Sequence, residues 1–573
     1  MNPGYPGKGR TILLIQYIAA IICILLAPGC SNNPLASYKG LDERLIHATK
    51  DSVIKERLYL NRDSTLSYHN VRLDQDGGIL PWYSADLGES YDKVINLVWG
   101  FWDKMELDSN GIKYYMNHQV WRPEHDKRGL GGDQLMMALS SWDLLYNYTG
   151  NKAIVENMKY MADYYLSHGF SGPDDTWANL PYPYNTSLHS GIYDGDMILG
   201  KGYLQPDKAG SFGYELVRLY KKTGEEKYLD AAIKIANTLA AKVQPGDEFH
   251  SPWPFKVNAK TGEAGKLINK PNINKPEPGT TYKSEQESVY TTNWTPTLGL
   301  FTALTALGKG DAAAYTRAHD IALNWLKTFP AKNNKWGPFF EDILGWSDCQ
   351  INAITYAMYL MDNEKADPDW KNTVKGIFQW VRSSLDDKEF AKYGVTTTDE
   401  QTIYRTPGNS HSSRQASMEL RYWEMTGDTT RLTNAIRQLN WATYMVNTDG
   451  RNYYIRDDIW LTDGYGDYVR HYIRAMAAAP QLAPAKGDHL LRTSSVVTGI
   501  TYEASGISYA TFDNTSQERF RLQKKPFGII VDGNKLNEVT NGNMAGYLWQ
   551  TIGKDGGGVL TLNKEGSSVK IYK

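Results

Sequence analysis

The chain has 573 residues, 41% hydrophobic and 22% charged, with a formal net charge of −2. That is ordinary globular composition, long enough for one large domain plus a smaller one. The near-neutral balance speaks against a nucleic-acid partner, whose phosphates require a basic face. The excess is aromatic: 17 Trp and 39 Tyr, which with the phenylalanines make up 12% of the chain. Flat rings with a polar handle suit sugar faces, and they also fill cores.

At the N-terminus, Lys8 and Arg10 precede an apolar run from Thr11 to Leu26, too short for a spanning helix, which reads as an export signal. The run ends in Ala27-Pro28-Gly29-Cys30, followed by Ser31-Asn32-Asn33. Small residues before a cysteine resemble a bacterial lipobox. The resemblance implies a lipid on Cys30 and an exported lipoprotein, in the periplasm or at the outer membrane of a Gram-negative bacterium. Its membrane contact would then be through that lipid alone. Of the three cysteines, Cys23 lies within the signal, which leaves Cys349 as the only thiol of the mature body. No internal disulfide and no cysteine-rich metal site can form. Residues 31–89 form a mixed N-terminal extension, in which Asp76-Gly77-Gly78 and Leu80-Pro81-Trp82-Tyr83 read as a loop laid over the next domain.

From about residue 90 the pattern is periodic. Six segments carry apolar residues at i, i+4, i+7 and i+11, one stripe of a helix. They are Tyr91-Ile95-Val98-Trp102, Ile154-Met158-Met161-Tyr165, Tyr228-Ala232-Ile235-Leu239, Ala314-Ala318-Ile321-Trp325, Trp370-Val374-Ile377-Val381 and Leu432-Ile436-Leu439-Thr443. Between them lie segments apolar nearly all round, beginning near Asp133, Lys208, Thr295, Asp348, Ser412 and Gly466, which reads as burial on every side. Tight turns lead from each buried helix to the next amphipathic one: Thr149-Gly150, Thr223-Gly224, Leu307 to Gly310, Met361 to Asp367 and Thr426-Gly427. Long loops lead the other way, roughly Glu106–Gly132, Gly169–Asp207, Lys242–Trp294, Pro330–Ser347, Asp387–His411 and Asn447–Tyr465. Short turns on one face and long loops on the other describe six concentric helical hairpins. The expected fold is mainly α, an (α/α)6 barrel over 90–485, with its site where the long loops meet. Beyond it, 486–573 breaks into short β-type runs separated by Gly, Asn and Asp, a small antiparallel β-sandwich that braces the barrel.

The six loops share a vocabulary of Trp, Tyr, Asp, Glu, Arg, His and Asn. Glycoside hydrolysis needs two carboxyl groups flanking the scissile bond, about 6.5–9.5 Å apart in inverting enzymes. Loops converging on one mouth can supply such a pair from different hairpins. The catalytic candidates are Glu341, Asp342, Asp133 and Asp463. Glu341 is favoured as the acid, because Phe339, Phe340 and Trp346 could desolvate it and raise its pKa. Asp133 and Asp348 sit at helix starts, where aspartate is also a common cap. Arg122, Arg405, Arg414 and Arg456 suit the carboxylate of a uronate, the alternative being that each pairs with a neighbouring acid. With them, Trp121, His189, Trp253, Trp346, His411 and Tyr465 complete the candidate substrate-binding set, although a lone His189 in a Gly/Tyr loop is more often structural. No phosphate-cradling glycine motif and no paired Cys or His-x-x-x-His motif occurs, so no cofactor or metal is expected, apart from a calcium ion that loop carboxylates could hold.

The hairpin repeat, aromatic mouth and lipobox together resemble the six-hairpin glycosidases of bacterial polysaccharide-degrading systems. In character the chain is most similar to the β-glucuronidase and unsaturated glucuronyl hydrolase branches. The resemblance covers most of the chain after Cys30, is architectural, and assigns no catalytic residue. It implies a carbohydrate substrate and an exo-acting glycoside hydrolase on uronate-containing oligosaccharides or polysaccharides. The alternatives are a polysaccharide lyase drawing on Asn409, His411, Arg414 and Tyr465, a sugar epimerase, and a non-catalytic glycan-binding lipoprotein. If hydrolysis is the reaction, Glu341→Gln keeps the fold by circular dichroism and lowers turnover at least ~100-fold.

Overall fold

Among the described residues, twelve long helices alternate between an outer and an inner ring. The outer ones are α1 (Leu87–Asp103), α3 (Lys152–His168), α5 (Glu226–Lys242), α7 (Ala312–Thr328), α9 (Trp370–Leu385) and α11 (Leu432–Thr443). The inner ones are α2 (Asp133–Thr149), α4 (Pro206–Thr223), α6 (Thr295–Ala306), α8 (Gln350–Asp362), α10 (Asn409–Thr426) and α12 (Tyr465–Ala478). This computed structural model describes residues 41–58, 69–116, 133–185, 190–195, 200–269, 282–340, 346–452, 465–552 and 557–573, without the side chains of 133–134, 267–269, 282–286 and 465. Among the described residues no helix is long and apolar enough to cross a membrane.

The inner helices pack in the order α2, α4, α6, α8, α10, α12, and α12 returns to α2, which closes the ring. Each of α2 to α10 is backed by the outer helix that follows it, while α1 packs on α12 and α11 and so completes the sixth pair from the opposite end of the chain. The stripes read from the sequence are the buried faces: Ile154, Met158, Met161 and Tyr165 of α3, for example, are all covered. Each such side chain contributes about 1.5–3 kcal/mol by leaving water. Local signals set the ends. Asn151 accepts from the Ala153 N–H and Asp311 from the Ala314 N–H, each at 3.0 Å, where the helix leaves donors unpaired. At the tight turns Gly224 (φ 74°) and Gly427 (φ 78°) donate to Tyr220 O and Trp423 O at 2.7 Å. A Cβ at either glycine would meet nothing, so the left-handed backbone alone requires the residue.

Three expectations change. Asp348 does not cap α8; that position is Cys349, which makes no side-chain cap bond. Instead Asp348 Oδ1 accepts from the backbone N–H groups of Trp336 (2.7 Å) and Gly337 (2.9 Å), and Oδ2 from Trp346 Nε1 (3.0 Å), so the carboxylate ties the fourth loop together. The expected loop keeps its turn at Asp76-Gly77-Gly78 and is irregular again from Pro81, but Leu80 belongs to a three-stranded sheet, Ser52–Arg57, Asn70–Leu73 and Ile79–Leu80. It is seated on α11 and the turn beyond, where Asn440 Nδ2 and Tyr444 Oη donate to the carbonyls of Ile79 and Leu80 at 2.9 Å. Finally, α10 is buried almost throughout yet polar: Asn409, Ser410, His411, Ser412, Ser413, Arg414 and Gln415 are all covered.

The C-terminal strands are β1 (His489–Thr493), β2 (Val497–Glu503), β3 (Gly506–Thr511), β4 (Thr515–Leu522), β5 (Gly528–Val531), β6 (Asn534–Lys535), β7 (Gly546–Thr551), β8 (Gly558–Glu565) and β9 (Ser568–Tyr572). They form two antiparallel sheets, β1-β4-β8-β7 and β2-β3-β9-β5-β6, which face each other through contacts such as Tyr509 against Phe520, 5.4 Å between ring centroids. This sandwich sits on the C-terminal ends of the inner helices. Tyr502 Oη donates to Asn147 O at 2.5 Å and Lys222 Nζ to Val497 O at 2.7 Å.

The strongest tie is Glu424 of α10. It accepts two 2.8 Å bonds from Arg492, one of 2.7 Å from Arg421, and a contact from Arg519. Burial alone would raise the Glu424 carboxyl, but Arg492, Arg519 and Arg421 outweigh it and hold the group well below the usual carboxylate range. Replacing it by Gln strands three guanidinium groups and should cost about 3–5 kcal/mol in denaturant unfolding at neutral pH. Because the folded-state pKa is depressed, that contribution is complete above about pH 4.3. It is lost as the pH falls through the folded-state value, so the gap between wild type and variant closes in acid.

Candidate active site

A cavity of about 500 Å³ occupies the barrel lumen. Lys208, Asn293, Thr295, Phe339 and Ile351 line it at the N-terminal ends of the inner helices, where the long loops gather. Met136, Met137, Ile354, Met358 and Met418 give the middle apolar walls. Against that background its charged groups stand out: Arg414 of α10, Arg470, His471 and Arg474 of α12, and Glu215 and Arg218 of α4.

Asp467 organises the outer half. It lies in the first turn of α12, 2% exposed, and ion-pairs with Arg414 across the helix boundary and with Arg470 on its own helix. Arg414 also donates to Gln350 Oε1 of α8 at 2.8 Å, so the network joins three inner helices. Burial would raise the Asp467 carboxyl, yet Arg414 and Arg470 overcome it and keep it well below the carboxylate range. It is therefore an anion throughout the physiological range and cannot serve as an acid. His471 Nε2 lies 3.1 Å from Asp467 Oδ1. Burial takes the imidazole down to about 3 despite the carboxylate beside it, so the ring is neutral. Neither ring nitrogen makes a hydrogen bond of good geometry among the described residues, and both are covered. With Nε2 facing the Asp467 carboxylate, Nδ1 is the nitrogen of the neutral ring left to take a proton.

At the mouth, Lys208 Nζ bridges Asp207 Oδ2 (3.0 Å) and Phe339 O (2.9 Å), and Asn293 Nδ2 also donates to Asp207 at 2.9 Å. These bonds join the second, third and fourth loops at the lumen entrance. Among the described residues no group of three or more His, Cys, Asp or Glu side chains is placed to hold a metal ion.

The structure brings some sequence candidates to this site and removes others. Arg414 is in it. His411, one turn before Arg414, is 2% exposed, and burial holds its imidazole well below the usual range. Trp346 is half-buried at the fourth loop, bonded to Asp348 and 4.9 Å from the Tyr290 ring. Trp253 is not at the mouth: it is fully buried, packs at a tilt against Trp294 with ring centroids 4.8 Å apart and donates to Leu239 O at 2.8 Å, which makes it part of the barrel wall. Arg405 is on the outside, its side chain 54% exposed, with Asp399 at 3.5 Å and Ser384 O as partners. Glu341, Asp342, Asp463, Trp121, Arg122, His189, Arg456 and Cys30 lie outside the described residues, as do the side chains of Asp133 and Tyr465. The sequence reading missed His471, Arg470, Arg474, Glu215 and Lys208. Their signal was available as charged and titratable residues at helical spacing inside segments otherwise buried: 467, 470, 471 and 474 on α12, and 208, 215 and 218 on α4.

The architecture is an (α/α)6 barrel, six inner helices backed by six outer ones. No protein-family model matches the chain, and no curated protein matches it. Among solved structures it is similar to the cellobiose 2-epimerase from Spirochaeta thermophila DSM 6192, with 12% identity, 68% of this chain and 96% of that one covered, and a TM-score of 0.49. The cellobiose 2-epimerase from Bacillus thermoamylovorans B4167 gives 14% identity, 69% and 99% coverage and a TM-score of 0.49. A family 76 glycoside hydrolase from a bovine Bacteroides thetaiotaomicron strain gives 10%, 73% and 83%, and 0.41. Identities this low leave the reaction to be read from the side chains.

The Asp467 network makes one stability claim. Asp467→Asn leaves two buried guanidinium groups short of their counter-charge and should lower unfolding free energy by about 3–5 kcal/mol. Chemical denaturation at neutral pH measures the loss.

Proposed function

We propose that the chain is a carbohydrate-active enzyme whose substrate carries a carboxylate, and that it moves a proton at the carbon beside that carboxylate. The supporting observation is His471, a neutral imidazole at the lumen wall, oriented by Asp467 and flanked by the Arg414 and Arg470 guanidinium groups. Taking a proton from a carbon next to a carboxylate builds negative charge on that group, and the two arginines stand where they could stabilise it. In a uronate the proton is the one on C5. It would pass to His471 Nδ1, the C–H electron pair would form the C4–C5 double bond, and the C4–O bond would break with its electrons going to the leaving sugar. A proton donor at the mouth would complete β-elimination; return of a proton to the opposite face of C5 would give epimerisation instead.

Glycoside hydrolysis of a uronate-containing chain is the second reading, and one observation favours it. Phe339, two residues before Glu341 in the chain, lines the lumen, which supports a part for that acidic pair. In either case we propose an exported lipoprotein anchored through Cys30.

A panel of uronate oligosaccharides separates the reactions. Elimination gives an ultraviolet-absorbing unsaturated uronate, epimerisation gives solvent deuterium at C5 with unchanged chain length, and hydrolysis gives a saturated reducing sugar. His471→Gln is expected to lower turnover by about 10²–10⁴ while Glu341→Gln retains it. The opposite pattern assigns the chemistry to hydrolysis.

A further inference from the structure

The reaction proposed above uses the outer half of the lumen. Arg474 lies on the same helix seven residues past Asp467, about 10 Å further along the axis. There Glu215 and Arg218 of α4 share the lumen wall with it.

The neighbouring cations have partners. Arg218 pairs with Asp143 of α2, which also holds Lys222 Nζ at 2.9 Å, and its Nε is 3.7 Å from Glu215. Arg470 pairs with Asp467. Arg474 has neither a hydrogen bond nor a carboxylate at ion-pair distance among the described residues, although it lines the cavity. Glu215, Asp467 and Asp362 reach it only at longer range, and Asp362 lies 3.8 Å from Arg421. The cavity lining carries five cations, Lys208, Arg218, Arg414, Arg470 and Arg474, and two carboxylates, Glu215 and Asp362, while Asp207, Asp143 and Asp467 behind it pair with Lys208, with Arg218, and with Arg414 and Arg470. Burial, and then Arg470, pull the Arg474 guanidinium down to about 9, which leaves it charged at neutral pH and short of a counter-charge. A desolvated cation in that state gains from any anion that can reach it.

We propose that the inner end of the lumen is a second oxyanion site, in which the Arg474 guanidinium takes a carboxylate or sulfate group through its two-pronged donor face. Arg218 and Arg470 add a favourable field, and Glu215 opposes it. The oxyanion belongs either to an acidic sugar that enters the lumen or to a free small anion. The site needs only the lumen and these side chains, so it stands whichever reaction the outer half performs.

Isothermal titration of the full chain at fixed ionic strength, with sodium sulfate, glucuronate and glucose as separate probes, tests this. Wild type should bind sulfate, glucuronate or both, and not glucose. Sulfate alone identifies a free-anion site, and glucuronate alone a sugar-acid site. Arg474→Gln should weaken that binding about 10- to 100-fold, and Arg474→Lys should retain part of it. Burial raises the Glu215 carboxyl to about 7, so Glu215→Gln should tighten binding at pH 8, where the wild-type group is charged, and less so below pH 7. The melting of each unliganded variant reports folding separately. The proposal is overturned if wild type binds neither anion or if a folded Arg474→Gln binds as well as wild type. Unchanged sulfate affinity in Glu215→Gln at pH 8, where the wild-type carboxyl is ionised, also overturns it, even where Arg474→Gln does not fold.

Discussion

The lumen is enclosed by six helices, so any charge on their inner faces has to be answered inside the barrel. Where those charges are buried, an unpaired ion costs several kcal/mol. Asp467 meets this constraint for two guanidinium groups at once and brings His471 within 3.1 Å. Removing that carboxylate would release Arg414 from α12, and with it one link between α10, α12 and, through Gln350, α8. The same residue that holds three inner helices in register therefore also orients the base. Packing and chemistry share one network.

The architecture was legible because it is written in period and punctuation. Stripes at i, i+4, i+7 and i+11 marked the outer helices, and the glycine turns marked the closed face. Burial of one helical face and a left-handed cap are local demands that a sequence must satisfy residue by residue. The site was less legible for a related reason. Segments such as α4 and α12 look like buried helices, and a buried helix is expected to be apolar, so Lys208, Glu215, Arg470 and Arg474 receded into an average. Their helical spacing was the better signal. Arg414 and His411 were found because a polar run at a helix start is conspicuous.

Asp348 shows the limit in the other direction. An aspartate just before a helix is a sound capping expectation, but its oxygens were taken by the Trp336 and Gly337 amides and the Trp346 indole. Loop closure offered three donors where the helix end offered fewer, and no periodicity encodes which wins. Arg405 and Trp253 fail similarly: the sequence gives their chemistry but not whether the side chain turns to the mouth, the wall or the solvent.

The C-terminal sandwich bears on the same problem from below. It rests on the ends of α2, α4 and α10, and Arg519 donates to Ala477 O near the end of α12. Glu424, Lys222 and Asn147 are all drawn into that seam. Two of these helices, α4 and α12, carry the charged stripes of the lumen. Fixing their far ends limits how far the stripes can slide past each other, which matters because guanidinium–carboxylate geometry decays within an ångström or so. The sandwich can thus act on the site by holding the helices that bear it, and the arginines of α12 remain aligned along the lumen from Asp467 inward.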